Sequence, residues 1–132
     1  MIGLDTNVLI RYLTQDDPVQ SPKAARVVEG DLLESGPGFI TVVSMVEIAW
    51  VLQKIYRLSD VQLAKDIEKM LQVRSLFIQN EREVHKAMLT LKAGRGSFED
   101  ALIGELGLWA GCTSTLTFDK SASRLQGFEL IA

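Results

Sequence analysis

The stretch Met1–Leu13, MIGLDTNVLIRYL, decides the fold prediction because a short apolar run ends on an acid and passes directly into a helical pattern. The run at its start suits a first strand, and the apolar residues after it recur at helical spacing. Thr6 and Asn7 supply capping chemistry for that helix. Asp5 is therefore predicted at the carboxyl end of a strand, which in open α/β sheets is the edge where ligands bind.

Composition limits what the chain can be. A length of 132 residues with 47% hydrophobic and 23% charged residues predicts one domain, residues 1–132, with its own core. No basic leader and no long uncharged apolar stretch is present, so we expect neither a signal peptide nor a membrane span, and a cytoplasmic protein. A single cysteine, Cys112, and a single histidine, His85, exclude an internal disulfide and a Cys/His zinc site. We expect Cys112 to be buried and His85 to be exposed on a helix.

The rest of the chain alternates between strand and helix patterns. Strands are predicted at Ile2–Leu4, Phe39–Val43, Leu76–Ile78, Thr113–Phe118 and Phe128–Ile131. Helices are predicted after the first strand, at Ser21–Glu29, at Ser44–Tyr56, from Ser59 through Leu71, from Asn80 to near Gly94, at Ser97–Ala110 and briefly at Ser121–Leu125. Continuous apolar strands with short connections favour a parallel sheet with helices on both faces.

Four carboxylates share one structural context, because each follows a predicted strand or lies in the first turn of a helix. They are Asp5, Glu47, Asp100 and Asp119. Glu47 and Asp100 also complete Ser-x-x-acid capping patterns, and the other two acids can cap helices. Capping alone does not require acids at nearly every turn of one edge, and clustered carboxylates repel each other unless a cation lies among them. Oxygen ligands favour Mg²⁺ or Mn²⁺, and a site of this kind predicts a metal-dependent phosphodiesterase. The bound cations would also offset the net charge of -3, which by itself would oppose phosphate binding.

Four motifs in this order resemble the PIN domain, in the form found in VapC toxins of bacterial and archaeal toxin-antitoxin pairs. They are Leu4–Leu9 (LDTNVL), Ser44–Glu47 (SMVE), Phe98–Ile103 (FEDALI) and Thr117–Asp119 (TFD), and together they span almost the full chain. The resemblance implies a PIN-like α/β/α sandwich with a central parallel sheet of about five strands. It also implies a ribonuclease that depends on Mg²⁺ or Mn²⁺, forms a homodimer and is blocked by a VapB-type antitoxin.

The resemblance assigns roles residue by residue. It implies that the catalytic and metal-binding acids are Asp5, Glu47, Asp100 and Asp119, and that their polar surroundings are Thr6, Asn7 and Thr117. Many relatives carry a further acid where this chain has Ser97, and Glu99 offers an acid one residue before Asp100 instead. The choice between one metal ion and two therefore stays open.

Basic and aromatic residues give weaker indications. Those available for RNA phosphates are Arg11, Lys54, Arg57, Arg95, Lys120 and Arg124, although a solvated charged surface describes most of them. Trp50 and Trp109 lie within apolar helical patterns, which predicts core packing rather than base stacking. A place at a dimer or antitoxin interface is the alternative for either tryptophan.

Rival acid-centred folds fit less well. A haloacid-dehalogenase-type phosphatase needs a second aspartate where this chain has Asn7, and a response-regulator receiver needs an aspartate where the third strand ends at Gln79 and Asn80. No Gly-rich phosphate loop or Ser-His-Asp arrangement is present. The remaining alternative is a PIN-like module that binds RNA or a protein without cutting.

Overall fold

Five strands and seven α-helices are distributed along residues 1–132, all of which the computed structural model describes. The strands are β1 (Ile2–Gly3), β2 (Gly38–Ile40), β3 (Leu76–Ile78), β4 (Thr115–Thr117) and β5 (Phe128–Leu130). The α-helices are α1 (Thr6–Thr14), α2 (Gln20–Arg26), α3 (Leu32–Ser35), α4 (Val42–Lys54), α5 (Asp60–Gln72), α6 (Glu81–Lys92) and α7 (Phe98–Trp109). A π-helical turn, Val27–Asp31, joins α2 to α3, and a 3-10 turn, Ala122–Arg124, precedes β5.

The strands pair in parallel and are flanked by helices, which confirms the predicted α/β class. They form two hydrogen-bonded groups, a three-stranded sheet β1-β2-β3 and a two-stranded sheet β4-β5. The prediction of one central sheet of about five strands was wrong in this respect. β1 contains only two residues. The amides of Ile2 and Leu4 donate hydrogen bonds to the carbonyls of Pro37 and Phe39 in the segment that contains β2. The other edge of β1 therefore has only the backbone N–H and C=O of Gly3 available to pair with a further strand.

The junction of β2 and α4 differs most from the prediction. The apolar run from Phe39 to Val43 was predicted to be all strand, but the strand ends at Ile40 and the helix begins at Val42. Thr41 is the N-cap, and its hydroxyl accepts a hydrogen bond from the Ser44 amide at 3.0 Å. A short β-branched run fits a strand and a buried helix equally well, so the cap decides the boundary.

The second helical segment is longer than predicted. The carboxylate of Asp17 accepts hydrogen bonds from the amides of Val19 and Gln20 at 2.9 and 2.7 Å, so the helix starts one residue before Ser21. Helical backbone continues through the π turn to Ser35, well beyond the predicted end. Three apolar residues at four-residue spacing keep this segment on the interior: Ala24, Val28 and Leu32.

Other boundaries follow the sequence closely. β3 has the predicted bounds, and Ser59 and Gln62 form both bonds of a capping box at the start of α5. β4 is shorter than the predicted strand at both ends, and β5 stops at Leu130. No helix is long and apolar enough to cross a membrane.

The main core contains 19 buried residues contributed by β2, β3 and the helices α1, α4, α5, α6 and α7. Phe98, Met45 and Leu63 are fully buried within it. Neither β4 nor β5 contributes a residue to this cluster. The two-stranded sheet is therefore attached to the core from outside.

Three expectations about single residues have clear outcomes. Trp50 and Trp109 are 52% and 66% exposed, so the prediction of core packing was wrong for both. Cys112 is exposed rather than buried because it follows α7 in a surface turn. His85 is exposed on α6, as expected.

Candidate active site

Asp5 occupies the junction of β1 and α1. It is the N-cap of α1, and its Oδ1 accepts a hydrogen bond from the Thr6 amide at 2.8 Å. The cap is thus Asp5 itself rather than Thr6 or Asn7. The side chain is exposed and forms no ion pair and no further hydrogen bond, so one carboxylate oxygen is held and the other has no partner.

Glu47 lies in the second turn of α4 and has no capping role. Because Thr41 caps this helix, Ser44 is already inside it, and the predicted Ser-x-x-Glu capping box is wrong. The Glu47 side chain is exposed and forms neither a hydrogen bond nor an ion pair. The helices α1 and α4 pack together, and an open depression of about 400 Å³ between them is lined by Asp5, Thr6, Asn7, Glu47, Trp50 and Val51.

The Thr6 hydroxyl is a second unusual feature of this depression. Thr6 is only 5% exposed, and its Oγ1 has no hydrogen-bond partner. A buried hydroxyl without a partner costs about 1–3 kcal/mol, and such groups are rare in folded proteins. The carboxylates of Asp5 and Glu47 and the amide oxygen of Asn7 give a donor set of oxygen atoms in the lining, which fits a hydrated hard cation in its chemistry.

Asp100 lies in the first turn of α7. The Ser97 hydroxyl accepts a hydrogen bond from the Asp100 amide at 3.1 Å, which makes Ser97 the N-cap. The Asp100 carboxylate does not return the second bond of a capping box and forms no ion pair. Capping therefore fixes the backbone of Asp100 and leaves its carboxylate uncommitted.

Asp119 follows β4 and is tightly held. Its Oδ1 accepts hydrogen bonds from the amides of Ser121 and Ala122 at 2.7 and 3.2 Å, which caps the 3-10 turn. The Thr117 hydroxyl accepts a hydrogen bond from the Asp119 amide at 3.0 Å. Thr117 thus positions the backbone of this acid, and the second carboxylate oxygen stays free.

Only part of the predicted acidic set shares one surface. Asp5 and Glu47 line the same depression, whereas Asp100 and Asp119 do not line it. No three Asp, Glu, His or Cys side chains lie close enough together to hold a metal ion. The structure thus provides one pair of carboxylates and two further acids that are each supported by their own cap.

The family model of the PIN domain matches residues 2–127. The chain belongs to the PIN domain family. PIN domains are generally metal-dependent nucleases, and the nucleases among them bind RNA. No curated protein shows significant sequence similarity to this chain. The match spans the positions of the four acids predicted from the sequence, Asp5, Glu47, Asp100 and Asp119.

Helices α1 and α4 of the PIN domain are tied together at the ends opposite to the depression. Asp16 accepts hydrogen bonds from the hydroxyls of Thr14 at 2.6 Å and Tyr56 at 2.8 Å, and Arg11 lies 3.3 Å from it. The Thr14 bond, followed by the Tyr56 bond, lowers the pKa of Asp16 from its ordinary value. Because Thr14 ends α1 and Tyr56 follows α4, these bonds help to fix the two helices that carry Asp5 and Glu47.

Four of the remaining sequence candidates have defined surroundings in the PIN domain. Arg11 is engaged by Asp16 and Gln20, so it is not free for RNA. Glu99 lines an apolar groove between α4 and α7 rather than the depression that contains Asp5. Arg95 and Arg124 line a common polar cavity, an arrangement that sequence patterns did not predict because the two residues lie in different loops.

Proposed function

We propose that this PIN domain is a ribonuclease that uses Mg²⁺ or Mn²⁺ to hydrolyse RNA phosphodiester bonds, and that it is the toxin of a VapBC-type pair. The main support is the juxtaposition of Asp5 and Glu47 in one depression, whose lining also includes Thr6 with its unpaired buried hydroxyl. Membership of a family of nucleases supports the reaction class.

In this proposal Asp5 and Asp100 are the principal ligands of the metal, and Glu47 and Asp119 complete the site. A divalent ion, when bound, neutralises phosphate charge and makes a water more acidic. The chain contributes orientation: the Thr6 amide holds one oxygen of Asp5, and the Thr117 hydroxyl holds the backbone of Asp119. Asp5, Glu47 and Asp119 are exposed and Asp100 is half-buried, which leaves room for an RNA strand, a substrate much larger than a small molecule.

Cleavage of a panel of structured RNAs in Mn²⁺, Mg²⁺ or EDTA tests the reaction. We expect cutting only with the metal, and a loss of about 100-fold or more in Asp5→Asn and in Asp100→Asn because each removes a charged ligand. Asp31→Asn is the matched control, since Asp31 is an exposed acid whose side chain has no partner. Unchanged metal-dependent cutting by Asp100→Asn contradicts the assignment of that residue.

Metal binding has a readout that does not depend on turnover. A ligand of the folded state at 100 times its Kd raises the free energy of unfolding by about 2.7 kcal/mol, so Mn²⁺ is expected to raise the Tm of the wild type. Asp5→Asn is expected to lose that increase, and Asp31→Asn to keep it. A folded protein without metal binding or cutting supports the alternative function, a non-catalytic PIN-like module that binds RNA or a protein.

The resemblance to VapC toxins carries two further proposals about partners. We propose that the chain forms a homodimer, and that a VapB-type antitoxin covers the acids in the cytoplasm. The half-exposed Trp50 in the lining of the depression supports a protein contact there, because aromatic residues are enriched at interfaces. Sedimentation of the purified chain tests the dimer, and relief of growth arrest by a co-expressed antitoxin tests the pair.

A further inference from the structure

A polar cavity of about 580 Å³ lies beside the loop that joins α6 to α7. Its lining includes Arg95, Arg124, Glu105, Thr90 and Gln126. Two guanidinium groups thus share one concave surface on a chain whose net charge is -3. The cavity is a local exception to the acidic character of the molecule.

Both arginines are free to bind an anion. Neither forms an ion pair within 4.0 Å, since the ion pairs of the chain are Arg11 with Asp16, Lys86 with Glu105 and Lys92 with Glu68. The one carboxylate in the cavity is that of Glu105. It already has a cationic partner outside the lining, because its Oε2 lies 3.9 Å from Nζ of Lys86. The lining therefore keeps an excess of positive charge.

Packing holds the two arginine segments next to each other. A Cβ at Gly96 would lie 3.0 Å from Cδ2 of Leu125, so the loop after Arg95 is in direct contact with the residue after Arg124. Leu125 in turn packs against the main core. The Arg95 amide donates to the Thr90 carbonyl at 3.1 Å, which fixes the loop on its other side. Two charged side chains on supported backbones lose less entropy on binding than side chains on mobile loops.

The cavity is joined to two of the proposed catalytic acids by short segments. Ala101, which lines it, directly follows Asp100, and Arg124 ends the 3-10 turn that Asp119 caps. Arg95 lies five positions before Asp100, and Arg124 lies five positions after Asp119. Five residues of fully extended chain span about 18 Å, so the Cα atoms within each of these pairs are no further apart than that. The cavity therefore lies within a distance of Asp100 and Asp119 that a few nucleotides can span.

We propose that Arg95 and Arg124 bind a backbone phosphate of the RNA substrate a few nucleotides from the bond that is cut. This inference rests on the proposed ribonuclease function. Guanidinium groups match the oxygens of a phosphate with paired hydrogen bonds, and the Gln126 side chain in the lining adds a neutral donor. The contact reads no base, so it sets the path of the strand rather than the sequence that is cut.

The test measures binding of a fluorescein-labelled single-stranded oligouridylate by anisotropy over a range of salt concentrations. Asp100→Asn is the background, with Mg²⁺ present, so that cleavage does not consume the probe. We expect Arg95→Gln with Arg124→Gln to weaken binding about tenfold and to reduce the slope of log K against log salt by about 0.7, the value for one phosphate on a single strand. Arg82→Gln, an exposed arginine of α6 in another cavity, is expected to leave both quantities unchanged.

Two further results separate the sources of failure. An unchanged salt slope in the double variant, with its Tm equal to that of the parent, overturns the proposal. Equal competition by polyglutamate and by unlabelled RNA also overturns it, because the cavity would then recognise an acidic protein segment. If the wild type does not cut RNA, the proposed function is refuted. The slope of log K against log salt is measured without cleavage, so it tests the arginine site separately. When Arg95 is replaced by Lys instead of Gln, most of the salt slope is expected to return but not the full affinity. Lysine keeps the positive charge but cannot form the paired hydrogen bonds of a guanidinium group.

Discussion

Asp16 connects the end of α1 to the residue Tyr56 beyond α4, and its ionisation is coupled to folding. Its pKa is lowered first by the Thr14 hydrogen bond and then by the Tyr56 hydrogen bond. A lowered pKa in the folded state means that the ionised form contributes stability above the unfolded pKa, and that this stability is lost as pH falls through the folded pKa.

We therefore expect Asp16→Asn to have a lower Tm than the wild type at pH 7. The difference should shrink as the pH falls below the ordinary range of an aspartate, because the wild-type carboxyl then becomes neutral as well. Thermal unfolding monitored by circular dichroism between acidic and neutral pH measures it. A difference that stays constant over this range contradicts the role of the charge.

Ionisation of Asp66 on α5 is expected to affect the stability of the folded protein in the opposite direction. Partial burial raises the pKa of this carboxyl, and the nearby Lys69 only partly opposes the rise. The ionised form is thus disfavoured in the folded protein at neutral pH. Asp66→Asn is expected to raise the Tm at pH 7 and to have little effect in acid, and the same pH series of melts tests this against Asp31→Asn as a control.

At the residue scale, the sequence indicated the places of the acids better than their local roles. Asp5 and Asp119 each follow a strand, as predicted, because a run of apolar residues that ends on an acid is a strong local signal. Glu47 was assigned a capping role because Ser44 precedes it by three, but Thr41 competes as the cap. The pairing of Arg95 with Arg124 depends on the contact of Gly96 with Leu125, which no local pattern encodes.

At the scale of elements, α7 and β5 are packed together at Gly104. A Cβ there would lie 2.5 Å from Cε2 of Phe128, so the aromatic ring rests directly on the helix backbone. We expect Gly104→Ala to lower the free energy of unfolding by about 1 kcal/mol, because the strain of overpacking exceeds the gain in helix propensity. Urea unfolding followed by circular dichroism measures the change.

Gly30 provides the matched control for this substitution. It lies in the π-helical turn, and a Cβ at this position has no neighbour within 4 Å. Gly30→Ala is expected to leave the stability unchanged or to raise it. Equal destabilisation by both substitutions would show that helical glycine itself matters, and not the contact with Phe128.

Capping chemistry made most element boundaries predictable. The capping box of Ser59 and Gln62 and the N-cap Ser97 both mark real helix starts. The boundary after β2 was missed because valine fits a strand and a helix, and hydrophobic periodicity cannot separate them over five residues. The extension of α2 into α3 was missed because the predicted helix ended at Glu29, whereas the burial of Val28 and Leu32 keeps the segment helical up to Ser35.

At the scale of the whole molecule, stability is unevenly distributed between the two sheets. Ile40 and Ile78 of the three-stranded sheet belong to the main core, whereas β4 and β5 contain no buried residue. Segments with few buried contacts open at lower free energy than the core. We expect the amide of Ile131, which bonds to Thr117, to exchange with solvent faster than the amides of Gly38 and Gln79, which bond to Ser75 and Ile40 within the three-stranded sheet.

Native-state hydrogen exchange measured by NMR tests this order. Uniform protection of both sheets, at the free energy of global unfolding, contradicts it. The Gly104→Ala variant is informative here as well, because weakening the contact of α7 with Phe128 should speed exchange in β4 and β5 without affecting β2 and β3.

The fold class was predictable from the sequence, whereas the division of the sheet was not. Alternation of strands and helices with short connections indicates a parallel α/β architecture through local patterns alone. Whether neighbouring strands complete one ladder depends on their length and on tertiary packing. The two residues of β1 are too few to decide this from sequence.

The separation of β4 and β5 from the core also has a consequence for biosynthesis. Chains are synthesised from the N-terminus at about 5–20 residues per second, and the last residue of the main core is Leu102. Asp119 is added roughly one to three seconds after that residue. Every residue of the main core is therefore synthesised before the last of the proposed acids, so a chain that stops short of β4 contains the complete interior and lacks Asp119.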